Sequence, residues 1–278
     1  MIELRQARGG WLGAALLLAL LVMGAVLVLL PLVVVVLTSL APSSTIPSTF
    51  AALRQPTLAN YIEAWHRGRF LLAFANSTLV AGAVMVIQVF TSALAGYALA
   101  RMRFRGRQAL LLMIIVALVV PFQVLVVPIF LVLKWGGLIN TYGALILPTA
   151  ASGFGIFLIR QYISTLPPEL EEAAALDGAT RWQIVWQVLL PLARPALVTV
   201  SLFAFIGEWN DLFKPLIFAT RPELKTVQIA LADFQEQFTN NWPLLMAAAT
   251  IAILPIALLF SIVQQQFVRG IGTTGLKN

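Results

Sequence analysis

Long uncharged apolar runs dominate the pattern of hydrophobic and polar positions along this chain. The hydrocarbon core of a bilayer is about 30 Å thick and needs about 20 apolar residues in a helix, and six runs approach or exceed that length. They are Trp11–Leu37, Leu71–Ala100, Ala109–Leu133, Gly143–Ile159, Ala196–Phe218 and Leu244–Val263. Only the fifth contains charged residues. The pattern predicts an all-α integral membrane protein with six transmembrane helices in one domain, residues 1–278.

Composition supports a membrane location. With 60 % hydrophobic and 10 % charged residues, 278 residues carry more apolar surface than a soluble domain could bury. The first run follows Arg5 and Arg8, as a secretory signal would, but it greatly exceeds the usual hydrophobic length of about 7 to 15 residues. Pro42 also follows the possible cleavage site directly. We therefore predict an uncleaved helix, tilted or bent at Pro31.

The formal net charge of +7 is distributed as a topology signal. Eleven Lys and Arg residues lie in the terminal segments and alternate loops on one predicted side, against seven on the other. Four of the eleven, Arg101, Arg103, Arg105 and Arg107, fall within seven residues. The positive-inside rule then places both termini in the cytoplasm. This distribution argues against nucleic acid as a partner.

The loop between the fourth and fifth runs, residues 166–195, is too polar to span and is patterned as two short helices. Pro167 and Pro168 suit the entry to a helix, three glutamates from Glu169 favour its N-terminal end, and Gly178 favours its end. Thr180 and Gln183 are spaced as a capping box that opens a second helix. On this helix Trp182, Val185, Trp186 and Leu189 recur at the spacing of one apolar face.

An exposed pair of helices with an acidic start, an alanine surface and an aromatic stripe suits insertion into a groove of another protein. The alternative is an amphipathic hairpin on the membrane surface, although such helices usually have basic polar faces.

This loop resembles the EAA motif of ATP-binding-cassette importer permeases: Glu-Ala-Ala, three residues, Gly, nine residues, Ile-x-Leu-Pro. Glu172-Ala173-Ala174, Gly178 and Leu190-Pro191 fall at that spacing, with Val188 in the Ile position. The resemblance implies that the loop is a coupling helix seated in an ATPase subunit, with Glu172 meeting a basic residue there. The expected docking residues are Glu171, Glu172, Ala173, Ala174, Asp177, Gly178, Ala179 and Trp182.

Further phrases resemble the second permease of carbohydrate importers of the maltose-transporter type. They are Asn60-Tyr61, Asn76-Ser77, Ala100-Arg101, Phe104-Arg105-Gly106-Arg107, Pro121-Phe122-Gln123, Trp209-Asn210-Asp211 and the tail from Phe267 to Lys277. In such permeases the tail can reach the ATPase interface, whereas a short Gly/Thr tail is otherwise most simply a disordered terminus.

The fifth run offers a candidate substrate pathway, because charge inside a membrane is costly and points to function. Glu208 and Asp211 are three residues apart and share a helix face, and nearby aromatic residues suit sugar rings. The candidate pathway residues are Phe205, Glu208, Trp209, Asn210 and Asp211. In the alternative, Asp211 and Lys214 pair with each other or with a partner subunit.

The resemblance implies an assembly in the bacterial cytoplasmic (inner) membrane. Its partners would be a second permease subunit, two nucleotide-binding ATPase subunits, an extracytoplasmic substrate-binding protein and the lipid bilayer. The chain contains no phosphate-loop motif, so ATP and Mg would be bound by the ATPase subunits and no cofactor by this chain. The expected function is alternating-access import of a sugar or oligosaccharide.

Three alternatives have different requirements. A non-sugar cargo such as glycerol phosphate or a polyamine is compatible with the same loop. An ion-coupled secondary transporter would use Glu208 and Asp211 but would not need the loop. An intramembrane enzyme is disfavoured because the chain has no cysteine, no Gly-x-Ser-x-Gly or His-Glu-x-x-His motif, and a single histidine, His66, in a predicted outer loop.

Overall fold

A computed structural model describes the backbone of residues 3–42, 55–238 and 240–274, and the side chains of 13–42, 55–238, 240–262 and 264. The chain divides into two compact units, residues 1–68 with 231–253 and residues 69–230 with 254–278. The helices are α1 Glu3–Ser39, α2 Ala59–Arg67, α3 Phe70–Arg101, α4 Arg107–Val119, α5 Phe122–Trp135, α6 Tyr142–Ile146, α7 Gly153–Thr165, α8 Glu169–Leu176, α9 Arg181–Leu192, α10 Arg194–Trp209, α11 Phe213–Phe218, α12 Val227–Gln237 and α13 Trp242–Thr274. Two 3-10 turns, Leu147–Thr149 and Pro222–Leu224, complete the described elements.

Candidate membrane spans number three or six in the described ranges, depending on how bent helices are counted. Gly13–Ser39, Phe70–Arg101 and Trp242–Ile262 are each long and apolar enough alone. Three bent pairs add one span each if counted together: α4 with α5 (104°), α6 and its 3-10 turn with α7 (41°), and α9 with α10 (78°). Counted this way, the six candidate spans equal the number that the sequence predicts, although the pair of α9 and α10 begins in the predicted loop and ends before Phe218.

The third, fourth and fifth predicted runs are not continuous helices, which corrects the sequence prediction. Pro121 ends α4, because proline disfavours helical backbone in the residue before it, and Val120 is extended. In the fifth run α10 ends at Trp209 and α11 begins at Phe213. The Asp211 Oδ1 atom accepts hydrogen bonds from the backbone N–H groups of Phe213 (2.8 Å) and Lys214 (3.2 Å) and so opens the new helix.

In the first unit, side-chain hydrogen bonds fasten α2 to the end of α1. The buried Asn60 amide donates to the carbonyl oxygens of Ser39 (2.8 Å) and Ala41 (2.7 Å). The hydroxyls of Ser39 and Tyr61 lie 2.5 Å apart. Asn60-Tyr61, one of the phrases that carried the resemblance, therefore has a structural role at this end of α1.

In the second unit, α3 packs closely on α7 through small residues. A Cβ atom added at Gly155 would collide with Ser92 Oγ and lie 3.2 Å from Ser92 Cβ. One added at Gly96 would lie 2.7 Å from Ile159 Cγ2. Close approach of backbones is the usual means by which membrane helices associate. A buried cluster of Ile159, Ile163, Ala193, Ala196 and Val200 joins α7 to α10 beside this contact.

Candidate functional site

The loop between the fourth and fifth spans contains two helices, as its sequence predicts. α8 carries Glu169, Glu171 and Glu172 in its first turn, and none of its residues is buried. Gly178 has a φ of 85° and ends this segment in the left-handed region that favours glycine. The backbone N–H groups of Gly178 and Ala179 return to the carbonyls of Ala175 (3.1 Å) and Ala174 (3.0 Å). Gly178 thus makes the predicted turn.

α9 begins with the predicted capping box. The Thr180 hydroxyl accepts from the Gln183 backbone N–H (3.3 Å), and the Gln183 side chain accepts from the Thr180 backbone N–H (2.8 Å). The turns that follow, Ile184–Leu189, are π-helical. The helix ends at Leu192 between the two prolines expected to close it, Pro191 and Pro195.

The predicted apolar face of α9 is only partly buried. Val185 and Leu189 are buried, whereas Trp182 is 59 % and Trp186 38 % exposed. The Trp186 ring lies 6.2 Å from that of Phe90 on α3 and 5.4 Å from that of Trp182. Trp182 is therefore the member of this face that is most available to a partner.

The exposed side of the loop carries most of the predicted docking residues. Glu172, Ala173, Asp177, Gly178 and Trp182 are exposed, and Ala174 and Ala179 are partly so. Leu176, at the end of α8, is 89 % exposed, which is unusual for a leucine outside a membrane-spanning segment. Neither Glu172 nor Asp177 forms an ion pair with any residue that the structure describes. This side of the loop has the composition of an interaction surface.

Glu171 differs from the other docking candidates because its carboxylate has a partner in the same chain. Its Oε1 atom lies 2.5 Å from Nε of Arg101 at the end of α3. The Arg101 guanidinium also donates to the carbonyl oxygen of Leu166 at 2.6 Å. The sequence predicted Arg101 only as part of a basic cluster that sets the topology. It did not predict this contact, because the two residues are 70 positions apart and no local pattern pairs them.

The charged residues of the fifth span meet at Lys214, which is 2 % exposed. Its ammonium lies 2.5 Å from Glu208 Oε2 and 3.4 Å from Asp211 Oδ2, and it donates to Thr149 Oγ1 (2.8 Å) and the Leu145 carbonyl (3.3 Å). The pairing of Asp211 with Lys214, the alternative at the sequence level, is therefore present, and Glu208 belongs to the same buried cluster.

The aromatic candidates in this region divide by burial. Trp209 is 1 % exposed, with its ring 5.5 Å from that of Phe74 and stacked on Phe205 at 5.6 Å, so it has no free face for a ligand. Phe205 is partly exposed and Asn210 is exposed. The Asn210 side-chain oxygen accepts from the Gln228 amide at 3.4 Å. Asn210 is thus the exposed member of the predicted pathway set, and Phe205, Glu208 and Asp211 are partly exposed.

A break in the fourth span adds polar contacts that the sequence did not reveal. Backbone carbonyls near the break accept from side chains of α3: Thr149 from the Gln88 amide (2.7 Å) and Ala150 from the Thr91 hydroxyl (3.4 Å). In a bilayer such freed carbonyls must be satisfied within the protein. Pro148 was the available signal for a break there. Gln88 and Thr91 face other helices, as polar residues inside spans are expected to do.

Among the described residues, no three His, Cys, Asp or Glu side chains are placed to hold a metal ion.

The family described as "Binding-protein-dependent transport system inner membrane component" matches residues 88–273, which include the whole loop and the Lys214 cluster. The chain belongs to this family of transport permeases and is a multi-pass membrane protein.

Curated relatives cover most of the chain. It is 32 % identical over 258 residues to the "Arabinooligosaccharides transport system permease protein AraQ" of Halalkalibacterium halodurans, covering 89 % of this chain and 90 % of the relative. It is 32 % identical over 228 residues to the "Diacetylchitobiose uptake system permease protein DasC" of Streptomyces coelicolor, covering 80 % and 81 %. A "Probable ABC transporter permease protein YurM" of Bacillus subtilis is 38 % identical over 220 residues, covering 78 % and 73 %.

Among solved structures, a chain of a bacterial ABC transporter involved in import of the acidic polysaccharide alginate has the same fold. The TM-score is 0.76 at 24 % identity, over 91 % of this chain and 95 % of that chain. A second structure, described as the alginate transporter in complex with an alginate pentasaccharide-bound periplasmic protein, gives a TM-score of 0.63 at 17 % identity, over 92 % and 94 %.

Proposed function

We propose that this chain is one permease subunit of an ATP-driven importer that moves a sugar or oligosaccharide across the bacterial cytoplasmic membrane by alternating access. The assembly would contain a second permease, two ATPase subunits that hold ATP and Mg, and an external substrate-binding protein. This chain would hydrolyse nothing itself. Family membership and the saccharides named for two relatives support this proposal.

The observation that carries the ATPase-docking part is the exposed side of α8 and of the turn that follows it. A helix with no buried residue, ended by Gly178 and followed by a capped helix, presents an exposed apolar and acidic surface. Protein interfaces of this type combine apolar anchors with a few charged contacts. Leu176 and Trp182 supply the first, and Glu172 supplies the second.

The experiment is to coexpress the chain with its neighbouring permease, ATPase and binding protein, and to measure cargo uptake and ATPase copurification. We expect Glu172→Lys to accumulate in the membrane normally but to lose uptake and ATPase binding, because it reverses an exposed charge that has no ion-pair partner among the described residues. Glu169→Lys, which changes an exposed glutamate one turn earlier, is the matched control. Normal uptake by Glu172→Lys would contradict the docking role.

For the cargo pathway, the structure favours the neutral groups of the fifth span over its carboxylates. Glu208 and Asp211 contact Lys214, so the accessible polar group there is the amide of Asn210, beside Gln228. An amide donates and accepts hydrogen bonds at once, which suits neutral hydroxyl-rich ligands better than phosphates or polyamines. We propose that Asn210 and Phe205 contact cargo, while Glu208, Trp209 and Asp211 shape the pathway.

A further inference from the structure

The docking helix α8 lies against the Ile184–Leu189 turns of α9 but buries little of its own surface. None of its eight residues is buried, so apolar packing does little to fix its orientation. Its Glu171 carboxylate, in contrast, lies 2.5 Å from the Arg101 guanidinium, and the two side chains are 19 % and 17 % exposed. A largely buried ion pair has a more defined geometry than an exposed one, because desolvation makes alternative arrangements costly.

Arg101 holds the entry to α8 at a second point. Its Nη2 atom donates to the Leu166 carbonyl, immediately before Pro167, while Nε faces Glu171 beyond the prolines. One planar guanidinium therefore contacts both sides of the bend between α7 and α8. The hydrogen bond to Leu166 and the charge contact with Glu171 together restrict rotation of α8 more than either contact would alone.

The residue that provides this contact is itself firmly anchored. Arg107 donates to the last carbonyls of α3, those of Leu99 (2.8 Å) and Ala100 (3.1 Å), and so caps the helix end that bears Arg101. α3 continues from there for 32 residues without interruption, a rod of about 48 Å. A displacement of Arg101 is therefore expected to move the whole of α3.

α9 is joined to α3 differently. Its Val185 and Leu190 pack with Ala93 of α3 in a buried apolar cluster, beside the partly buried Tyr97. Apolar contacts of this kind are non-directional. The link from α8 to α3 is thus a charge pair, whereas the link from α9 to α3 is apolar.

We propose that Arg101 is a positioning residue that transmits movement of the docking helix α8 to the spanning helix α3 through its ion pair with Glu171. The inference rests on the proposed function, because it assumes that an ATPase moves α8. In this proposal Glu171 makes a contact within the permease itself, and Glu172 is the acidic residue of α8 that contacts the ATPase.

The test uses the complete reconstituted importer with Glu171→Gln, Arg101→Gln, the double variant, and the exchange Arg101→Glu with Glu171→Arg. The measured quantity is ATP hydrolysed per cargo molecule transported. We expect each single change to raise this ratio by a factor of about ten, with ATPase subunits still bound, and the double variant to be no worse than either single one. The exchange should restore part of the coupling. Glu169→Gln and Arg103→Gln, exposed neighbours without an ion pair among the described residues, are the controls.

A second readout reports the position of α8 directly. The chain contains no cysteine, so a spin label on Ala175→Cys reports from one exposed site of α8, given partner subunits that are also cysteine-free. We expect the label to gain mobility in Glu171→Gln and not in Glu169→Gln. A purely local stability defect would lower membrane accumulation without changing the ATP-to-cargo ratio.

Two results would overturn the inference. Unchanged ATP-to-cargo ratio and label mobility in Glu171→Gln would show that the pair transmits nothing. Loss of ATPase binding in Glu171→Gln would show that Glu171 is a docking contact. Both differ from failure of the proposed function, in which the unmodified importer itself would show no ATP-dependent uptake.

Discussion

At the scale of single residues, Lys214 shows how charge is accommodated inside a span. Its ammonium has four oxygen partners, two from carboxylates, one from a hydroxyl and one from a backbone carbonyl. Glu208, the nearest, is 7 % exposed in its side chain. Burial of any one of these charges alone would be costly, so each depends on the others.

Removing the cation should therefore destabilise the protein more than removing the pair. We expect Lys214→Met to lower the free energy of unfolding by about 3 to 5 kcal/mol, because it leaves the Glu208 carboxylate uncompensated. Glu208→Gln combined with Lys214→Met should recover part of this loss. Thermal denaturation of the purified protein in detergent measures both, with Lys134→Met at an exposed lysine as the control. Equal stability of the two lysine variants would show that the cluster contributes nothing.

The arginine cluster after α3 also divides at this scale. The sequence treats its four members alike, as cytoplasmic charge. In the structure Arg101 and Arg107 each donate to backbone carbonyls, and Arg101 also forms an ion pair with Glu171. Arg103 and Arg105 are exposed and make no ion pair with any described residue. Two of the four thus have a structural role in addition to any influence on topology.

At the scale of elements, the contact between α3 and α7 depends on the absence of a side chain at Gly155. The Ser92 side chain occupies the space where a Cβ atom would lie. Gly82, on α3, has nothing within 4 Å of its Cβ position. The two glycines therefore have different packing requirements although both lie in helices.

We expect Gly155→Ala to destabilise the α3–α7 contact by about 1 to 3 kcal/mol through overpacking, and Gly82→Ala to be neutral or mildly stabilising. Combining Gly155→Ala with Ser92→Gly should relieve the collision and recover part of the lost stability. The stability of each variant is measured by unfolding it and monitoring the loss of its helical circular dichroism signal. No difference between Gly155→Ala and Gly82→Ala would contradict the close approach.

At this scale the sequence predicted the features that depend on neighbouring residues better than those that depend on distant ones. Gly178 and the Thr180–Gln183 box were predicted correctly because a turn and a cap depend on residues three or four apart. The sequence did not show that Trp182 is exposed while Val185 is buried, because burial depends on how helices pack rather than on local spacing. The interrupted fifth span was missed for a similar reason, since the Asp211 bonds that open α11 are one of several conformations open to that side chain.

At the scale of the whole molecule, the six-span reading and the distribution of Lys and Arg together predict that both termini are cytoplasmic. The absence of cysteine allows single reporters to be introduced. With a membrane-impermeant maleimide, we expect Gly136→Cys to be labelled in intact cells and Arg103→Cys only after permeabilisation, because the two residues flank the α4–α5 span. Labelling in the reverse order would place the loop that carries α8 outside, where no ATPase could reach it.

The sequence by itself determined the membrane location, the two-helix loop and the spacing that resembles importer permeases. These rest on composition and on patterns within a few residues. The tertiary structure decided which polar groups are available to partners: Arg101 pairs with Glu171, and Lys214 pairs with Glu208 and Asp211, whereas the Glu172 carboxylate and the Asn210 amide are exposed. The physical reason is distance along the chain. Arg101 bonds to a residue 65 positions away and Lys214 to one 69 away, and such contacts exist only once the spans have packed.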